Sequence, residues 1–342
     1  KRKINMTNIK KLGLSALAGS LVAVSAQAGE ISVTGSANVT YVTGKNDAAG
    51  KSIGTDKDVA FTGTGELDSG WTFTVSSLLT DAQSISSSYT SLTMGSLGTV
   101  SFGTDTGGAN YKYDEEVPQA YEQMSDAQNN SANRIGNMAD TNMIVYNSPS
   151  FDLGGVTASF DLEYSPNIAG SGTGVLVNDG GSVTVNEDFG SSSAAGVTLS
   201  YDALKFGIYG AEIERTAQGN TEVSDAFEGA WYVNYSFGPV SIGYTQSYMD
   251  SGANGAAESA TAAKDAATGN TRTANGFFEG DQMSIAFNVN ENFSVSYTES
   301  EETYDAQDNA ATAVADVVMK TDGIQAAYSM GAMSIKAYKI DV

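Results

Sequence analysis

The 342-residue sequence contains no histidine and no cysteine. Without histidine the chain lacks the usual general base and the commonest side-chain metal ligand, so a serine-histidine hydrolase is excluded. Without cysteine it forms no disulfide, which fits an exported chain that does not depend on such bonds. Carboxylate pairs are plentiful in any acidic chain, and nothing in the pattern fixes two of them opposite a cleft. We therefore expect no enzymatic activity and no cofactor.

Basic residues are scarce. There are 17 lysines and arginines against 40 aspartates and glutamates, which gives a net charge of −23. Nucleic acid, a polyanion, is therefore not an expected partner. An acidic chain can be disordered, but the 17 tyrosines, 13 phenylalanines and two tryptophans recur throughout the sequence and favour a folded chain.

Long hydrophobic runs are also lacking. The single long apolar run, from Leu12 to Val24, is shorter than the ~20 residues that a membrane-spanning helix needs. Two lysines precede this run, and small residues follow it up to Ala28. This pattern predicts a signal peptide that is cleaved after Ala28, with Met6 as the natural start. We assign residues 1–28 to the signal peptide and its upstream residues.

In the remaining chain, apolar and polar residues alternate with a period of two. From Glu30 to Val42 every odd position is apolar or small and every even position is polar, which is the pattern of a strand with one apolar and one polar face. Fifteen segments show this alternation. They begin near residues 30, 58, 70, 87, 99, 141, 155, 193, 204, 224, 239, 281, 292, 322 and 332.

The connections between these segments alternate in length. Short turns such as Asp68-Ser69 and Gly238-Pro239 alternate with long polar loops such as 43–57, 165–192 and 105–140. A transmembrane β-barrel has this alternation, because tight turns join its strands on one side and longer loops on the other. In lipid every backbone polar group must be paired within the protein, so a spanning sheet has to close on itself.

Bacterial barrels of this kind have an even number of strands. Because the chain stops at Val342 inside an apparent strand, we expect one further strand beyond it. The sequence thus predicts an all-β fold, a transmembrane antiparallel β-barrel with 16 strands in the full protein and about 15 present in this fragment. The barrel domain would be residues 29–342, truncated at its C terminus. Sixteen tilted strands enclose a water-filled lumen.

Four features give the sequence a family resemblance. They are the leader, the opening Gly29 to Gly35, residues 92–103 just before the longest loop, and residues 146–151 just after it. The chain resembles the general bacterial outer-membrane porins, especially those of the α-proteobacterial type. The resemblance implies a homotrimer in the cell outer membrane of a Gram-negative bacterium, surrounded by outer-membrane lipid. It also implies passive diffusion of small hydrophilic solutes and ions, with the third loop, 105–140, folded inward as a constriction.

In such porins acidic residues of the third loop face basic residues of the opposite wall. Carried onto this chain, the acidic side of the constriction would be drawn from Asp114, Glu115, Glu116, Glu122 and Asp126. The basic candidates for the wall are Arg134, Lys205, Arg215 and Lys336. With so few cations the lumen potential should be negative, and we expect a preference for cations.

Three alternatives stay open. A substrate-selective channel would use Tyr111, Tyr113 and Tyr121 to stack on a sugar. A secreted β-sandwich adhesin or surface protein would instead turn its apolar strand faces inward, into a sealed core. Dense carboxylates could also bind structural Ca²⁺ between loops, although no segment has the spacing of a helix-loop-helix Ca²⁺ site.

Overall fold

A computed structural model of the chain describes most of residues 29 to 341. The described residues are 29–43, 51–80, 84–104, 112–114, 116–121, 123, 143–166, 174–178, 181–185, 189–215, 225–250, 276–306 and 317–341. They belong to two compact units, of which the first ends at Gly103 and the second begins at Thr104. No helix among the described residues is long and apolar enough to cross a membrane.

The first unit is built from five strands that neighbour one another in chain order. They are β1 (Ile31–Thr43), β2 (Lys51–Glu66), β3 (Thr72–Leu79), β4 (Ile85–Thr93) and β5 (Thr99–Thr104). The ladders β1–β2, β2–β3 and β3–β4 are antiparallel. The tight turn between β2 and β3 contains Gly70, whose φ of 79° lies in the region that favours glycine.

Thirteen further strands lie among the described residues of the second unit. They are β6 (Met143–Asn147), β7 (Phe151–Asp152), β8 (Thr157–Ser165), β9 (Gly174–Asn178), β10 (Gly181–Val185), β11 (Phe189–Tyr201), β12 (Leu204–Arg215), β13 (Ala226–Phe237), β14 (Val240–Asp250), β15 (Gly276–Asn290), β16 (Phe293–Ala306), β17 (Val317–Met330) and β18 (Met333–Asp341). Strands β6, β8 and β11 to β18 follow one another in a sheet, β7 pairs with β8, and β9 pairs with β10.

All fifteen predicted segments are strands. The differences concern their ends and two loops. Strand β2 begins at Lys51, within the segment 43–57 that the sequence predicted to be a loop, and the hairpin of β9 and β10 lies within the predicted loop 165–192. Tight turns join the strands as predicted, for example between β13 and β14, where Gly238 has a φ of 56°.

In the second unit the apolar face of the strands is exposed and the more polar face is buried. In a soluble β-sandwich the apolar face is the buried one. On β13 the side chain of Phe227 is 44% exposed, whereas Glu228 and Tyr232 are fully buried. On β15 Met283 is 59% exposed and Gln282 only 4%. We call the exposed apolar face the outer face and the opposite face the inner face. A sealed apolar core, which a β-sandwich requires, would show the reverse.

The apolar part of the outer face, which we call the belt, runs obliquely across the strands. On each strand, the belt ends at the first charged outer-face residue met on the way to the long loop. This residue is Glu212 on β12, Asp281 on β15 and Lys339 on β18. When cross-strand partners are followed from one strand to the next, this boundary moves toward the tight turns by slightly more than one residue per strand. With ~3.3 Å per residue and ~4.8 Å between strands, a level belt requires a strand tilt of about 40°. Transmembrane barrels tilt their strands by about 35–45°.

Candidate functional site

Residues 112–114 and 116–121 of the long loop lie on the inner face of the second unit, and we call them the anchored segment. As this segment advances, its side chains and backbone meet β8, β12, β13, β15, β16 and β17 in that order. It therefore runs across the strands rather than along one of them. Over this described part, the loop lies against the inner face of the sheet.

Polar side chains of the strands hold the middle of the anchored segment by its backbone. The amide of Asn234 donates from Nδ2 to the carbonyl oxygen of Glu116 at 3.0 Å, and the hydroxyl of Ser284 donates to the carbonyl oxygen of Pro118 at 2.5 Å. Close approach is possible here because Gly243 has no side chain: a Cβ at that position would lie 2.4 Å from Cδ of Pro118.

The end of the anchored segment is held in the same way. The backbone N–H of Ala120 donates to Oγ of Ser296 at 2.9 Å, and that of Tyr121 donates to Oε1 of Gln325 at 3.1 Å. Such bonds satisfy backbone groups that would otherwise need water. The inner face therefore fixes the course of this segment through its polar side chains, and no regular secondary structure is needed.

A buried tyrosine cluster holds the beginning of the segment. Tyr113 is fully buried, stacks on Tyr209 with ring centroids 5.6 Å apart and lies 6.0 Å from the ring of Tyr232. Its hydroxyl donates to Oδ2 of Asp161 at 3.3 Å and lies 3.2 Å from Oγ1 of Thr198. Burial raises the pKa of Tyr113 above its usual value, so the hydroxyl stays protonated at neutral pH.

The tyrosine ring fits because a glycine lies beneath it. A Cβ at Gly196 on β11 would be 2.3 Å from the ring of Tyr113, a distance that real Cβ atoms do not show. Glycine at this inner-face position thus makes the pocket into which the loop inserts Tyr113. The sequence analysis treated Tyr113 only as a sugar-stacking candidate and did not identify this role.

Two ion pairs join the segment to the strands. Glu116, a predicted acidic residue, lies with Oε2 3.3 Å from Nζ of Lys205, a predicted basic residue of the wall. Lys112 forms an ion pair with Asp161, which also accepts a hydrogen bond from Nδ2 of Asn147 at 2.7 Å. The second pair was not predicted, because neither Lys112 nor Asp161 was a candidate site residue.

The other predicted site residues have different positions. Lys336 on β18 lies with Nζ 4.8 Å from the ring centroid of Tyr121, a cation–π distance. The carbonyl oxygen of Asp114 accepts a hydrogen bond from Nε2 of Gln123 at 3.1 Å, within the loop itself. Arg215 is the last residue of β12. Four predicted site residues lie outside the described residues: Glu115, Glu122, Asp126 and Arg134.

Four carboxylates are buried on the inner face: Asp161, which contacts the loop, and Glu163, Glu228 and Glu302. Glu228 accepts a hydrogen bond at Oε1 from the hydroxyl of Tyr209 at 2.9 Å. Within the described part of the chain no three or more aspartates and glutamates are grouped so that they could hold a metal ion. The inner face is thus acidic and hydrogen-bonded.

Strands that turn their apolar side chains outward at the tilt of a membrane barrel, with a loop bound across their polar face, define a β-barrel channel. The sequence profile of the Gram-negative porins matches residues 13–338, and the chain belongs to this family. The resemblance found in the sequence is therefore confirmed. The family is one of outer-membrane channels. A comparison with curated protein sequences found no match.

Solved structures with a similar fold include porins. One, a porin refined at high resolution, has a TM-score of 0.62 at 14% identity over 92% of this chain and 95% of its own. OmpF of Salmonella typhi in complex with daunomycin has a TM-score of 0.59 at 14% identity, over 90% of this chain and 88% of its own. An anion-selective porin from Comamonas acidovorans has a TM-score of 0.54 at 17% identity, over 88% of this chain and 85% of its own. The predicted fold class, an all-β antiparallel barrel, is confirmed.

Proposed function

We propose that this protein forms a water-filled channel through which small hydrophilic solutes and ions diffuse passively, with segment 105–140 as its constriction. The observation that carries the proposal is the anchored segment, which is fixed across the inner face by Tyr113, by the Glu116–Lys205 ion pair and by backbone hydrogen bonds. A loop held across the inner face in this way would narrow the passage.

We further propose that the channel prefers cations. Buried carboxylates lie on the inner face, and two of the lysines near them, Lys112 and Lys205, are already paired with Asp161 and Glu116. Fixed negative charge in a confined passage concentrates cations. One of the structurally similar porins is described as anion-selective. The fold alone therefore does not set the sign of selectivity, and the charges of the wall must.

The test is the reversal potential of the full-length protein in planar bilayers under a KCl gradient. We expect the sign that corresponds to K⁺ preference, and stepwise insertions with ohmic conductance. A reversal potential of the opposite sign would overturn the cation preference, and the lack of any conductance would overturn the channel itself. Single-channel current in the presence of sugars tests the substrate-selective alternative, for which saturable block is expected. The burial of Tyr113 argues against that alternative, because its ring is not free to stack on a sugar.

Export and assembly complete the proposal. Residues 1–28 would be removed as a signal peptide, and N-terminal sequencing of the mature protein should begin at Gly29. A homotrimer would use small outward residues of the first two strands. Gly63 fits such a contact because a Cβ there meets nothing within 4 Å, whereas at Gly65 the ring of Phe73 already occupies the space. A strictly monomeric species in mild detergent would contradict the trimer.

A further inference from the structure

The last residue of the anchored segment, Tyr121, contacts two side chains of β18. Its ring centroid lies 5.8 Å from that of Tyr338 and 4.8 Å from Nζ of Lys336. Tyr338 is the cross-strand partner of Gln325, which holds the segment, and Lys336 lies two residues away on the same face. Both side chains therefore belong to the inner face. We call Tyr121, Lys336 and Tyr338 the β18 cluster.

The ring of Tyr121 is not what anchors the loop at this point. Its backbone N–H is bonded to Oε1 of Gln325, which is 1% exposed. That oxygen also accepts a hydrogen bond from Oγ of Ser296 at 3.4 Å, so the acceptor is itself held in place. The backbone thus fixes where the ring of Tyr121 lies, and the β18 cluster is formed before any solute reaches it.

The β18 cluster is open to solvent, unlike the tyrosine cluster at the beginning of the segment. Tyr113 and Tyr232 are fully buried, whereas Tyr338 is 39% exposed and Lys336 is exposed. An exposed aromatic ring offers a face on which another flat group can stack. Tyr338 can therefore contact a solute in the lumen, which the buried tyrosines cannot do.

The ammonium group of Lys336 also differs from those of the other lysines near the loop. Lys112 and Lys205 each form an ion pair with a carboxylate. No carboxylate in the described part of the chain lies within ion-pair distance of Lys336. On an inner face that carries buried carboxylates, an unpaired ammonium group is a point at which an anion is attracted rather than repelled.

We propose that the β18 cluster is a weak binding subsite for small solutes that carry a carboxylate on a ring. The carboxylate accepts a hydrogen bond from Nζ of Lys336, and the ring stacks on Tyr338. Residues two apart on one face of a strand are separated by about 7 Å, a distance that a six-membered ring with its carboxylate spans. Aromatic acids and sugar acids share this chemistry. The proposal rests on the proposed channel, because a solute reaches the cluster through the lumen.

The test is block of the K⁺ current through single channels in planar bilayers at neutral pH. In about 1 M KCl the summed charge of the wall is screened beyond about 3 Å, so block reports direct contact. Benzoate is compared with benzamide, its neutral counterpart, and glucuronate with glucose. We expect saturable block by the acid, with an apparent affinity about two- to fivefold higher than that of its neutral counterpart, the ratio given by one exposed ion pair. The pair with the larger ratio shows which ring the subsite takes.

Two lysine variants test the charge. Lys336→Gln should remove the advantage of the acid over its neutral counterpart. Lys339→Gln is the matched control, because it removes the same charge from the same strand, but on the outer face, where Lys339 is paired with Asp341. It should leave the ratio unchanged.

Two tyrosine variants test the stacking. Tyr338→Leu should weaken the block by the acid and by its neutral counterpart alike, and so preserve their ratio. Tyr328→Leu is the control on the outer face of β17, where Tyr328 is 42% exposed, and it should change neither.

Equal block by each acid and its neutral counterpart in the unmodified protein would rule out the subsite, and so would an undiminished ratio in Lys336→Gln. If Lys336→Gln forms no channels, Tyr338→Leu decides, since block as strong as in the unmodified protein contradicts the proposal. Conductance in KCl alone keeps the two proposals apart. Absence of block with normal conductance contradicts the subsite alone, whereas absence of conductance in the unmodified protein and in every variant contradicts the channel.

Discussion

Gly196 shows how a single residue decides the course of the long loop. Its Cα faces the ring of Tyr113 so closely that any side chain would overlap it. We predict that Gly196→Val displaces Tyr113, lowers the free energy of unfolding by about 1–3 kcal/mol and changes single-channel conductance. Thermal melts and bilayer recordings would show both effects. Ala195→Val is the control, because Ala195 is exposed on the outer face of the same strand, on the opposite side from Tyr113, and the strand should accept the change. Equal effects of the two variants would contradict a role for the pocket.

Because of the hydroxyl of Tyr113, we predict that the stability of the folded protein decreases at alkaline pH. Burial raises the pKa of this hydroxyl in the folded state above the ordinary value of 10.0 that applies in the unfolded chain. The folded state therefore holds the proton more tightly, and the stability that this provides is complete below pH 10 and decreases as the pH rises above it. Melting temperatures measured from pH 8 to 11 should fall at the upper end. In Tyr113→Phe the fall should be smaller, and an unchanged slope would exclude Tyr113 as the titrating group.

At the scale of the strands, the belt predicts how substitutions on one face behave. Ile285 lies in the belt on β15 and is 49% exposed, so in the membrane it faces hydrocarbon. Ile285→Arg should cost about 2–4 kcal/mol of folding free energy in lipid. Glu299→Arg, on the next strand but above the belt, should cost far less. Denaturant titrations of both variants in lipid vesicles measure this difference, and equal costs would mean that the belt boundary is misplaced.

The period of two was enough to predict fifteen of the eighteen strands that the structure describes, because alternation along a strand is a local property of the sequence. The course of the loop was not predictable in this way. Residues of the loop contact partners that are far away along the chain. Lys112 forms an ion pair with Asp161, Pro118 accepts a hydrogen bond from Ser284, and Tyr121 donates one to Gln325. The pairing of Glu116 with Lys205 was predicted only in kind, through the resemblance to porins.

The misjudged loops have a physical reason too. Strand β2 begins at Lys51 because its residues from Lys51 to Gly63 pair with β1, as far as Thr43. Among its first residues, from Lys51 to Asp58, Ile53 is the one large apolar residue, so these residues show little alternation. A strand that extends beyond the belt has no apolar face to bury, and backbone pairing alone keeps it regular. Sequence periodicity therefore reports the part of a strand that lies within lipid, and not its full length.

For the molecule as a whole, the excess of carboxylates should make ion selectivity depend on salt concentration. The net charge of −23 and the buried carboxylates of the inner face act on permeating ions through the water of the lumen. The distance over which charge is screened shrinks from about 30 Å at 0.01 M salt to about 3 Å at 1 M. We therefore predict that the ratio of K⁺ to Cl⁻ permeability is largest in dilute KCl and decreases steadily toward the ratio of free mobilities near 1 M.

Reversal potentials at a constant concentration ratio but different mean concentrations measure this dependence. Lys205→Gln provides the internal comparison, since it leaves Glu116 without its positive partner and adds one negative charge to the passage. Its permeability ratio should exceed that of the unmodified channel in dilute salt and converge with it in concentrated salt. A ratio that stayed constant over this range would mean that ions are selected at direct contact with a few groups, where screening has little effect, rather than by the summed charge of the wall.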